Sequence, residues 1–210
     1  MDSRYQFIDP FLFFDSERLS EAPIFVEIGS FTGTHAMGLK EAYPQGQVIV
    51  YEASPTNFGK LNEAIAGKDI KTHNQAVGEQ DGEIEFFEFS DNPSSNSIFS
   101  RRSLFRRNSR GKSVKKSLPC VGVETVLKNN NASQIDVFFS NCEGAELPIL
   151  AGIMKSADLQ NRIRQLSISF HAQIYGQRKV RSTIRKMEEC GYASITSDRK
   201  WPCTLFYRQD

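Results

Sequence analysis

Apolar positions along the chain follow two periods, and the switches between them mark its elements. PIFVEIGS is a short apolar run (Ile24, Phe25, Val26, Ile28) broken at Gly29, and it predicts a buried strand. QVIVYEAS repeats the pattern and ends at Glu52. DIKTHNQAVG, GEIEFFEFS, SQIDVFFSN and RQLSISFHAQ predict further strands, with Leu166, Ile168 and Phe170 alternating in the last. Between them, THAMGLKEAYP, PTNFGKLNEAIAG, AELPILAGIMKSA and QRKVRSTIRKMEECG have helical spacing. The last has Val180, Ile184 and Met187 on one face and Gly191 as its stop. Pro55 and Gly67 bracket the second helix in the usual order. YASITSD and PCTLFYR close the chain as two strands with a short turn, most simply an antiparallel pair. Strands alternating with helices predict an α/β fold, a mostly parallel sheet covered on both faces.

A length of 210 residues suits one domain with a real core, and the 39% hydrophobic, 24% charged composition is that of a globular chain. Net charge is +1, so no global field points to nucleic acid or membrane. FIDPFLFF is too short for a membrane helix and reads as an arm or short helix packed on the domain. The expected division is an N-terminal arm over 1–22 and one domain over 23–210. Cys120, Cys142, Cys190 and Cys203 have no metal or redox spacing, so reduced thiols and a cytoplasmic location are expected.

Candidate chemistry gathers at strand ends. Gly29 and Gly33 lie between a strand and a helix, where glycine allows a tight turn and close ligand approach. Glu52 ends the next strand about 20 residues on, a place where a carboxylate suits two vicinal ribose hydroxyls. The alternative is a structural turn with a solvated Glu. Gly-x-x-x-Gly preceded by Glu27 would repel a pyrophosphate and suits the ammonium of S-adenosyl-L-methionine (SAM). In FFSNCEGAELPIL an apolar run ends in Asn141, Glu143 and Glu146, charge that a packed core gains nothing from.

The segments VEIGSFTG, VIVYEASPTNFGKL, HNQAVGEQDGEIEFF, SSNS and VFFSNCEGAE together resemble the FkbM family of SAM-dependent methyltransferases. The resemblance implies a Rossmann-like, doubly wound, seven-stranded sheet with an antiparallel C-terminal pair. It implies that Glu27, Gly29, Ser30, Phe31 and Gly33 line the methionine end of SAM and that Glu52 holds the ribose. Ala53, Asn74, Gln75 and Ala76 would edge the adenine, with Asn141 and Glu143 over the methyl group and Ser95 to Ser97 nearby. Glu27 and Asn141 stand where the family usually has Asp. Asn is a poorer ligand for a hard cation, so no metal ligand is expected.

Methyl transfer to a hydroxyl needs in-line positioning and a proton acceptor. His171, with an ordinary pKa of about 6.5, and Glu143 are the candidates, and a structural role for His171 stays open. Glu146 reads as a helix-start residue. The resemblance implies a sugar, glycan or small metabolite as acceptor. Arg101 to Lys116 carries eight Lys or Arg and no acid within a basic loop at 94–117. It is a solvated loop, a lid attracting an anionic substrate, or a contact to RNA, which would make this an RNA methyltransferase. A non-catalytic SAM-binding module is the remaining alternative. Acceptor identity and oligomeric state are not legible.

Overall fold

The computed structural model describes residues 4–8, 12–100, 113–197 and 202–208. The chain opens with strands β1 (Tyr5–Phe7) and β2 (Phe13–Asp15), then β3 (Ile24–Ile28), α1 (Thr34–Ala42), β4 (Gln47–Tyr51), α2 (Pro55–Ala64) and β5 (Ile70–His73). It continues through β6 (Ala76–Gly78), β7 (Gly82–Phe89), β8 (Ser113–Gly122), α3 (Val123–Asn129), β9 (Ile135–Ser140), α4 (Glu146–Met154) and α5 (Ala157–Arg162). It ends with β10 (Ile163–Ile168), α6 (Ala172–Tyr175), α7 (Gln177–Glu189), β11 (Tyr192–Thr196) and β12 (Thr204–Arg208).

Seven strands form the central sheet in the order β11-β12-β10-β9-β3-β4-β5. The five from β10 to β5 are parallel, while β12 runs antiparallel to both β10 and β11. The chain winds outward from β3 through β4 to β5, then crosses back to β9. The junction of β3 and β9 is therefore the topological switch point, where open α/β sheets bind ligands.

The period of two sorts side chains to two cores. Val26, Ile28, Ile49, Phe138 and Ile168 pack with Val126, Ile149 and Met187 on one face. Phe25, Val48, Val50 and Phe139 pack with Leu39, Leu61, Leu12, Phe13 and Phe14 on the other. Part of the expected arm is thus core. Among the described residues of the FIDPFLFF stretch, β1 and β2 pair as a ribbon rather than forming a helix, and a single 3-10 turn follows at Ser16–Arg18. Ribbon and sheet are stitched by Phe13 N to Ser167 Oγ (3.1 Å) and by a reciprocal pair between the Gln165 amide and the backbone of Asp15 (2.8 and 3.1 Å).

A second sheet, order β6-β8-β7, lies beside the first. The expected strand GEIEFFEFS is its β7, paired antiparallel with β8 from Gly82↔Cys120 to Phe89↔Ser113. This corrects the extent of the basic loop, because residues 113–117 are strand. Lys115 pairs with Glu85 and Lys116 with Glu88, which neutralises the end of the basic run. Residues 101–112 lie outside the described residues. Sequence periodicity passes over β8 because its polar and charged residues alternate without an apolar face until Leu118.

Candidate functional site

Three loops meet at the carboxyl ends of β3, β4 and β9. Gly29 leaves β3 at φ +82°, and its N–H donates to Tyr51 O at 2.9 Å. A Cβ there would lie 2.6 Å from Asn141 O, so only glycine lets the loop after β3 pass under the loop after β9. Glu52, almost fully buried at the end of β4, binds the surrounding backbone with both oxygens. Phe31 N donates to Oε2 and Ser54 N to Oε1, each at 2.9 Å. Burial pushes this carboxyl up to about 7, and the charge of Glu27 adds to the rise, against the pull of the two backbone donors and Asn57.

The cleft between these loops is lined by Gly29, Phe31, Glu52, Ala53, Gln75 and Ala76 on one side and by Asn141 and Glu143 on the other. Ile28, Tyr51, Val77 and Phe86 supply apolar walls, and the Pro93–Ile98 stretch closes the outside. Among the described residues the lining holds two carboxylates and no Lys, Arg or His. Its free space is about 60 Å³, narrow beside the roughly 300–1,000 Å³ of small-molecule sites. Asn57, read from sequence only as a helix residue, is in the wall; its Nδ2 donates to Pro93 O at 3.0 Å and ties the outer stretch to α2.

Four residues expected in the cleft are placed elsewhere. Glu27 is wholly buried beneath the loop, its Oε1 2.9 Å from His35 Nδ1 and its Oε2 without a hydrogen-bond partner among the described residues. Ser30 is buried with its hydroxyl likewise unpartnered. Gly33 serves packing: a Cβ would meet Leu61 Cδ1 at 2.7 Å. Asn74 braces the strand end, its Nδ2 donating to the carbonyls of Glu52 (2.8 Å) and Ala53 (3.2 Å).

The loop after β9 is tightly held. Glu143 sits at φ +43°, the left-handed region that non-glycine residues rarely occupy and that clusters at functional sites. Ser97 Oγ donates to Glu143 O, which places the SSNS segment on this loop. Glu146, fully buried at the start of α4, accepts from Gly144 N at 3.0 Å and Cys142 N at 3.4 Å, a structural role as its position suggests. His171 stands between two carboxylates, with Nε2 3.0 Å from Glu143 Oε1 and Nδ1 2.5 Å from Glu146 Oε1. Burial pulls the imidazole down, but hydrogen bonds and charge from both glutamates outweigh it and raise it to about 10. That direction favours the protonated ring at neutral pH and weighs against the near-neutral base expected at His171. Tyr175, singled out by no sequence signal, shares its one O–H between Gly144 O and Glu146 Oε2, the latter at 3.2 Å. Burial, with Glu146 nearby, also drives the Cys142 thiol well above its usual range, which disfavours the thiolate. Among the described residues no group of three or more His, Cys, Asp or Glu is arranged to hold a metal ion. No helix among them is long and apolar enough to cross a membrane.

A family model described as Methyltransferase FkbM domain matches residues 27–194. No curated protein matches the chain. Among solved structures, a methyltransferase FkbM from Methylobacillus flagellatus KT is 15% identical with a TM-score of 0.60, covering 90% of this chain and 44% of that one. This chain thus spans less than half of that protein. The fibrillarin pre-rRNA processing protein of Methanococcus jannaschii is 10% identical with a TM-score of 0.53, over 90% and 67% of the two chains. A precorrin-6y C5,15-methyltransferase from Geobacter metallireducens GS-15 is 9% identical with a TM-score of 0.51, over 91% and 83%. At such identities the likeness is one of fold.

Proposed function

The chain belongs to the FkbM methyltransferase family, and from that membership we propose that it transfers the methyl group of SAM to a hydroxyl oxygen of a sugar, glycan or small metabolite. SAM is the family's cofactor, and the donor set of the cleft fits it. Among the described residues the lining carries two carboxylates and no Lys, Arg or His, with His171 standing behind Glu143 at 3.0 Å; such a lining suits a cationic ligand rich in hydroxyl donors and opposes a pyrophosphate. That acid-lined cleft at the switch point is the observation that carries the reading.

Glu52 would take the ribose hydroxyls, and the apolar walls with Ala53, Gln75 and Ala76 would take the purine. The narrow free space requires the Pro93–Ile98 wall to move outward for a nucleoside to enter. When bound, SAM supplies a methyl group on a sulfonium leaving group. The protein would hold the acceptor oxygen in line with that methyl group and take up its proton.

RNA as acceptor has less support. Lys115 and Lys116 are spent on acids of β7, and the cleft itself is acidic. Calorimetry with S-adenosylhomocysteine (SAH) tests the proposal: micromolar binding by the wild type, lost in Glu52→Ala, is the expected result. No binding by the wild type would sink it.

A further inference from the structure

We propose that Glu146 and Tyr175 are positioning residues which, through the His171 ring, hold the Glu143 carboxylate against the transferring group of the cofactor, where it receives the acceptor's proton. The inference rests on the methyltransferase reading.

The geometry is a continuous chain of hydrogen bonds. Tyr175 Oη reaches Glu146 Oε2 at 3.2 Å, Glu146 Oε1 reaches His171 Nδ1 at 2.5 Å, and His171 Nε2 reaches Glu143 Oε1 at 3.0 Å. Only the last member lines the cleft. Glu146 divides its oxygens: Oε1 fixes the ring, while Oε2 fixes the loop through Gly144 N and accepts from Tyr175. A fully buried carboxylate is costly unless donors surround it, and this one has four: two backbone N–H groups, an imidazole and a phenol. A buried carboxylate that orients an imidazole, whose other nitrogen serves the reacting group, is the logic of catalytic triads. Here the ring carries a proton on both nitrogens, so it cannot accept the acceptor's proton; it aims the carboxylate that can. The groups facing the ring are Glu143 and Glu146, with Tyr175 and Cys142 in contact with Glu146 and its loop.

The proton balance is simple. The acceptor O–H breaks, its proton passes to Glu143, the oxygen bonds the methyl carbon, and the C–S pair returns to sulfur. His171 gains and loses nothing. Glu143 then releases the proton to solvent, which its quarter-exposed side chain can reach.

The test needs no acceptor. Sinefungin carries an amine in place of the sulfonium methyl, whereas SAH is neutral there. A carboxylate held at that point makes the wild type prefer sinefungin over SAH by about tenfold or more, since charge pairing of this kind is worth a unit or more of log K. Glu143→Gln abolishes the preference. Glu146→Gln and the milder Tyr175→Phe each reduce it several-fold, although neither residue touches the cleft. In the same variants, NMR of the histidine rings, three per chain, reports His171 directly. Its titration lies near 10 in the wild type and falls by at least about one unit in Glu146→Gln. A wild-type His171 titrating near 6.5, or a sinefungin preference unchanged in both Glu146→Gln and Tyr175→Phe, would overturn the proposal. Failure of the wild type to bind SAH at all would instead remove the methyltransferase reading beneath it.

Discussion

Glu52 carries a proton equilibrium where the cofactor would need a carboxylate. Free, it titrates near 7; hydroxyl donors from a ribose favour the ionised form and pull it down. Binding therefore releases a proton, and SAH affinity is highest above pH 7 and weakens as pH falls below it, by up to about tenfold per unit. Calorimetry in two buffers of different ionisation heat reads that proton directly. Gly29 offers a different prediction. Alanine there meets both a left-handed backbone and the Asn141 carbonyl, so Gly29→Ala should cost about 1–3 kcal/mol in urea unfolding and weaken SAH binding with it. Both residues were legible in the sequence because glycine and a strand-end acid have few other reasons to be there. Glu27 and Gly33 belong to the same motif, but a motif does not say which way a side chain points. Packing sent the first under the loop and the second against α2.

Among elements, the ribbon of β1 and β2 is held by polar groups that the sequence could not assign. Gln165 and Ser167 are buried on β10, and they satisfy the backbone of Asp15 and Phe13. Gln165→Leu leaves a buried N–H and C=O of Asp15 unpaired, each worth about 1–3 kcal/mol. The expected outcome is a loss of roughly 2–4 kcal/mol, with hydrogen exchange at residues 12–15 rising before that of β3 and β9. The parallel strands were readable because continuous apolar runs bounded by glycine have one simple interpretation. β8 was not, because its charged residues are stabilised by partners on β7 that are distant in sequence. α3 and α5 escaped for a related reason: seven and six residues hold too few turns to show a helical period.

For the whole molecule, two raised groups set a direction for stability against pH. Glu52 holds its proton more tightly folded than unfolded, so its contribution is fully present below about 4.5 and is lost as pH rises through about 7. His171 behaves in the same sense over a higher window: its contribution is complete below about 6.5 and is lost as pH rises through about 10. Denaturation midpoints should therefore decline between pH 7 and 10, and His171→Gln should flatten that decline while lowering stability at pH 7. Fold class and the antiparallel closing pair were accessible from sequence at this scale because strands alternating with helices, then two strands with a short turn, admit few windings. The charge state of His171 was not, since it depends on two glutamates 25 and 28 positions away.

The pairing of Phe89 with Ser113 holds the two ends of the chain between them side by side in the second sheet. One flank is pinned by Ser97 on Glu143 and by Phe99 against Tyr175, and the other begins inside a ten-residue strand. Loop closure is already provided by the domain, and lengthening such a connection costs only about 0.6 kcal/mol per doubling.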